Sequence, residues 1–132
     1  MPATYEPIAT TTLGSAAASI TFSSIASSWT DLRLVLVGTG SSAVNAIMRF
    51  NGDTATNYSI TVLYGDGSTA ASFGLSSQSY VRLTGNGGIS TTIPQMWTAD
   101  IFSYAGSTFK TSLVTASEDN NGSGNTERIV GS

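Results

Sequence analysis

Three stretches of this sequence have residue types and spacings that could do chemistry. The first is Leu34-Val35-Leu36-Val37-Gly38-Thr39-Gly40-Ser41-Ser42-Ala43, an apolar run followed by G-x-G-x-x-A. That pattern holds a dinucleotide pyrophosphate when the glycines lead into a helix N-terminus and an acid for the ribose follows about 20 residues on. Here Ala43–Phe50 alternates like a strand, and the stretch Asn57–Thr61 carries no acid. A hairpin loop is the expected reading. The second is Asp119-Asn120-Asn121-Gly122-Ser123-Gly124-Asn125-Thr126-Glu127. It opens like a calcium loop, with oxygens at positions one, three and five and glycine at six, but Val130 stands where the bidentate glutamate belongs. A surface loop is expected, and Asn51-Gly52-Asp53 and Asp66 are weaker still as oxygen donors to a structural cation. The third is Asp100, a lone carboxylate inside an apolar strand, on the face of Met96, Thr98, Phe102 and Tyr104. A glycosidase needs two carboxylates, and no second acid is aligned with this one. Pairing with Arg33, Arg49 or Arg82 is the expected role.

Composition narrows the chemistry further. The chain has 132 residues with neither cysteine nor histidine. Disulfides, thiolate nucleophiles, zinc fingers and Ser-His-Asp triads are therefore excluded. Five Lys and Arg against eight Asp and Glu give a net charge of -3. So few scattered cations cannot neutralise a run of phosphates, and no nucleic-acid partner is expected. The start, Met1-Pro2-Ala3-Thr4-Tyr5-Glu6, lacks the basic and apolar regions of a signal peptide. The best apolar run, Leu32–Val37, contains Arg33 and is far below the roughly 20 residues of a spanning helix. Neither an enzyme, a cofactor nor a membrane association is expected.

The elements that must carry these residues read as strands. Leu32, Leu34 and Leu36 share one face of 32–37, opposite Arg33, Val35 and Val37. Because that second face is also partly apolar, the strand should be central or covered. Period-two alternation recurs in 44–50, in 58–64 and around Ile20 and Phe22, with further candidates at Ser79–Leu83, Gln95–Tyr104 and Phe109–Thr115. Arg128–Val130 looks like a strand that has hardly begun. It should pair with a neighbouring subunit, or else belong to a final hairpin that is missing. Gly/Asn/Asp clusters punctuate the strands, and serine and threonine make about 30% of the chain. Helix signals are poor, with one possible turn at Gly14–Ser19. The pattern predicts an all-β protein, a jelly-roll-like antiparallel β-sandwich over 14–132, preceded by an extended arm over 1–13. Tyr58, Tyr64, Tyr80, Trp97, Phe102 and Tyr104 could stack sugars, but aromatics equally fill cores and interfaces. Trp29 and Trp97 read as core plugs, and the sequons at Asn57 and Asn121 carry little weight without an export signal.

A resemblance adds to this reading. The opening Thr4-Tyr5-Glu6-Pro7-Ile8-Ala9-Thr10-Thr11-Thr12-Leu13-Gly14-Ser15 is distinctive, as are Ser19-Ile20-Thr21-Phe22-Ser23-Ser24-Ile25 and Thr30-Asp31-Leu32-Arg33-Leu34-Val35-Leu36. With Arg49-Phe50-Asn51-Gly52-Asp53, Asn57-Tyr58-Ser59 and Leu63-Tyr64-Gly65-Asp66-Gly67, they resemble a family of small β-rich virion structural proteins of tailed phages, cyanophages among them. The match covers about the first 70 residues well and the rest loosely. Ala26 stands where the family pattern often has proline, and the pattern usually continues past this chain's end into another apolar hairpin. The resemblance implies a capsid decoration (cement) protein in the virion, assembled in the host cytoplasm, or alternatively a tail-fibre, baseplate or glycan-binding tail module. It transfers no catalytic residue. The implied partners are the major capsid protein and further copies of the chain, in a cyclic homo-oligomer such as a trimer. Candidate contact residues are Tyr5, Pro7 and Ile8 on the arm and the outward-facing Val35, Val37, Ile47 and Leu63.

Overall fold

The computed structural model describes residues 5–65, 68–85 and 87–118, and the backbone of 126–131. It is all-β, with no helix among the described residues. Strands β1 (Leu32–Gly38), β2 (Ile47–Met48), β3 (Tyr58–Gly65), β4 (Ala70–Gln78), β5 (Val81–Arg82), β6 (Gln95–Phe102), β7 (Thr111–Glu118) and β8 (Thr126–Gly131) follow in chain order. Six form one antiparallel sheet in the order β1-β6-β7-β8-β3-β4, and β2 pairs with β5 in a second, small sheet.

Alternation decides which side chains face inward. The pairs Leu34↔Ala99, Leu36↔Trp97, Ala99↔Val114 and Trp97↔Ala116 put one apolar row across β1, β6 and β7. Ile60↔Leu75 and Val62↔Phe73 extend the same layer through β3 and β4. The small sheet caps that layer. Ala46 and Met48 pack against a cluster of Ile60, Val62, Leu83, Ala99 and Val114. The Leu83 N–H donates to the Ala46 carbonyl at 2.9 Å and locks the cap's two segments together. Val62 and Val114 have no exposed surface, and burying each contributes about 1.5–3 kcal/mol.

The arrangement is sandwich-like, but its layers hold six and two strands, where a jelly roll places eight in two Greek keys. The expectation therefore carries over as an antiparallel all-β fold. Four local expectations change. First, among the described residues β1 has a strand neighbour on one side only and is an edge strand, and its outward Arg33, Val35 and Val37 are exposed. Second, the strand expected over 44–50 shrinks to Ile47–Met48, since Val44 is engaged in loop hydrogen bonds with Ser42 and Ile89. Likewise Ser79–Leu83 keeps only Val81–Arg82. Third, Ile20–Phe22 is not a strand and Gly14–Ser19 is not helical; Tyr5–Asp31 contains no regular element, so the strandless lead runs well past Leu13. Fourth, the closing segment does not wait for a neighbouring subunit. β8 lies between β7 and β3, paired on both sides within its own chain.

Candidate functional site

The outward face of the large sheet gathers the residues with chemical or contact potential. β1 presents Arg33, Val35 and Val37 there, and β6 presents Met96, Thr98, Asp100 and Phe102. The register sets Arg33 against Asp100, Val35 against Thr98, and Val37 against Met96. Charge thus occupies one end of the strand pair and apolar surface the other.

At the charged end the Arg33 Nε–H donates to Asp100 Oδ1 at 2.6 Å, and an Nη2–H donates to Oδ2 at 2.8 Å. This two-point contact is the geometry that a planar guanidinium and a carboxylate favour. The hydrogen bond to Asp100 raises the Arg33 pKa above its ordinary value. The Tyr5 ring covers the guanidinium at 4.7 Å, a cation–π contact that ties the start of the arm to β1. Asp100 is thus a paired carboxylate, and of the three arginines proposed as partners it is Arg33 that reaches it. Arg49 instead donates from Nε to the Ser79 carbonyl at 3.0 Å. Arg82, on β5, donates to Asn45 Oδ1 at 2.5 Å and to the Gly85 carbonyl, with its guanidinium 5.6 Å from the Phe73 ring.

Among the described residues the other chemical candidates are held in structural contacts. After Gly38 the chain enters an irregular link to β2, in the other sheet, and no helix N-terminus is available for a pyrophosphate. The link is therefore not a hairpin loop, since β1 and β2 do not pair. Gly40 serves packing there: its N–H donates to the Ser90 carbonyl at 2.9 Å, and a Cβ would meet Ile89 Cγ2 at 2.9 Å. Asp53 is consumed locally. It accepts from the Ala55 N–H at 2.8 Å, from the Asn57 amide at 3.4 Å and from the Tyr58 hydroxyl at 3.3 Å. Burial, then the charge of Asp53, pushes the Tyr58 phenol above its ordinary pKa. The calcium-like loop at 119–125 and Asp66 lie outside the described residues. Among the described residues no cluster of three acidic side chains could hold a metal. A cavity of about 60 Å³, lined in part by Gly88, Ser90, Gln95 and Glu118, has room for a few waters.

The aromatics do not assemble into one platform. Tyr58 and Trp97 are buried, and Tyr64 meets Phe73 edge to face at 6.2 Å on the inner side. Tyr80 packs beside the core. Tyr104 sits in the β6–β7 turn, its hydroxyl donating to the Ile25 carbonyl at 3.1 Å. Trp29 is half-buried just ahead of β1.

All seven candidate contact residues are exposed, yet they do not form one patch. Val35 and Val37, the latter 70% exposed, join Met96 on one flank. Leu63 is outward on β3, four strands away, or about 19 Å at the usual inter-strand spacing. Ile47 belongs to the small sheet. Tyr5, Pro7 and Ile8 ride on the arm. One exposed residue escaped sequence reading: Phe109, in the turn before β7, is 93% exposed. The strand expected over Phe109–Thr115 would have included it, whereas the strand starts only at Thr111. No family model matches the sequence, and searches of curated proteins and of solved structures return no match.

Proposed function

We propose that this chain is a structural protein of a phage virion, a capsid decoration (cement) protein that binds the outer shell and braces neighbouring capsid subunits. The observation that carries the reading is the segment Tyr5–Asp31. It lacks regular structure and holds Ile8, Leu13 and Ile20 out in solvent. Apolar side chains kept off a domain's own core gain free energy only when another surface covers them. The resemblance of the first 70 residues to virion proteins supplies the identity of that surface, the major capsid protein together with further copies of the chain. A composition without cysteine or histidine suits a component that must stay inert.

The mechanism is mechanical. An arm lies on one shell subunit while the outer sheet face or the β6–β7 turn touches another, so that separating them would expose apolar area. No bond is made or broken.

Counting copies per particle by quantitative gel or cryo-EM tests the reading. Hundreds of copies support a shell location; a few tens would move the protein to the tail, and absence from particles would reject it. Particles assembled with a chain lacking residues 1–12 should lose occupancy. Unchanged occupancy would reject the arm as the docking element.

A further inference from the structure

Among the described residues the molecule has an unpaired segment with strand-like alternation and an unpaired sheet edge. Ser19-Ile20-Thr21-Phe22-Ser23 alternates like a strand, with Ile20 and Phe22 on one side and Thr21 on the other. In the structure it is not one, and among the described residues no backbone hydrogen bond reaches it. On the other side, β1 pairs with β6 in unbroken register over its seven residues, without proline or bulge. Among the described residues its opposite edge receives no backbone partner. Such a regular, mostly apolar edge is a template for strand addition. The edge at β4 is a poorer one, broken by Gly74, by Ser77 at φ 54° and by a register shift in its pairing with β3.

Surface area indicates how much covering is needed. The chain exposes 8556 Å², whereas a compact monomer of its mass exposes about 6,600 Å². The difference of about 2,000 Å² exceeds the roughly 800 Å² that each partner buries in a standard interface, so there is surface enough for one. Within residues 5–31 all but Phe22, Ile25 and Trp29 are exposed. Pairing β1 with its own copy would leave that segment uncovered. The linker between the two features is fixed elsewhere. The Tyr104 N–H donates to the Thr30 carbonyl at 2.7 Å and its hydroxyl to Ile25, which tethers residues 25–30 to the β6–β7 turn instead of along the free edge.

We propose that residues 19–23 of one copy add as a strand to the free edge of β1 in a second copy. This rests on reading the chain as an assembly subunit and names the contact between copies. In that pairing Ile20 and Phe22 join the inward row of Leu34 and Leu36, and Thr21 falls beside Val35 or Val37. Head-to-tail addition of this kind closes into a ring when the rotation between copies permits.

The cysteine-free chain gives a clean test on purified protein. Chains carrying Thr21→Cys are mixed with differently tagged chains carrying Val35→Cys or Val37→Cys and oxidised. Light scattering of the unsubstituted protein should give a multiple of the chain mass. The mixed chains should yield a disulfide-linked heterodimer, and Ile20→Pro, outside the chain's own eight strands, should return the mass to that of one chain with a circular dichroism spectrum that keeps its β-sheet character. A monomer in solution would overturn the proposal, as would disulfides only between two Val35→Cys chains, or a linked dimer that Ile20→Pro leaves intact. Any of these results would leave the virion copy number, and the decoration reading with it, standing.

Discussion

At the scale of single residues, close backbone approach makes the sharpest predictions. A Cβ at position 40 would lie 2.9 Å from both Ile89 Cγ2 and the Ser42 carbonyl oxygen. Gly40→Ala should therefore destabilise by about 1–3 kcal/mol, read as a lower urea midpoint with an unchanged m-value. Tyr58 gives a pH dependence. In the unfolded chain its phenol ionises near 10.0, and in the folded chain above that value. Its contribution to stability is thus complete below pH 10.0 and is lost as pH rises through the folded value. Tyr58→Phe should flatten the alkaline decline in stability, measured by denaturant titration across that range. An equal decline in both proteins would show that another group controls it. Some of this scale was readable beforehand. Strand parity put Asp100 on the face of Met96, Thr98 and Phe102 and left Arg33, Arg49 and Arg82 open as partners; Arg33 meets it because the two strands pair directly. The role of Gly40 was not readable, because Ile89 is distant in sequence and only the fold brings it near.

At the scale of elements, long alternating runs were legible and short or small-residue ones were not. β1, β3 and β6 follow from Leu, Ile, Val and aromatic residues at every second position. β4 was missed, since Ala70-Ala71-Ser72-Phe73-Gly74-Leu75 offers little β-propensity even though Ala71, Phe73 and Leu75 keep the period. The error over 44–50 came from treating alternation as sufficient. The Asn51–Gly52 turn, at φ 53° and 70°, and the Val44–Ile89 hydrogen bond cut that run at both ends. Edge position was likewise invisible, because an apolar second face suits a covered strand and an uncovered contact strand equally well. β7 supplies the energetic check. Val114 is fully buried between its neighbours on β6 and β8, so Val114→Ala should cost about 2 kcal/mol. Phe109, just outside the same strand, should tolerate Phe109→Ser within about 0.5 kcal/mol in thermal or denaturant unfolding.

At the scale of the whole molecule, stability and contact should separate. The folded unit draws its stability from the two packed layers, while the arm and outer face bury little of the core. Removing residues 1–12 costs the Tyr5–Arg33 contact and should lower the unfolding free energy by no more than about 1 kcal/mol, even as particle occupancy falls; a much larger fall in stability would show that the segment belongs to the core instead. The topology has a kinetic consequence too. β8, last of the eight strands in sequence, is the hydrogen-bonded bridge between the β1-β6-β7 and β3-β4 portions of the sheet. A chain still being synthesised cannot join these portions before residues 126–131 emerge, and each meanwhile keeps a bare inner border. Pairings this distant in sequence form slowly, on the order of milliseconds to seconds. Refolding yield should therefore fall as protein concentration rises, because in that interval the border strands of different molecules can find one another first.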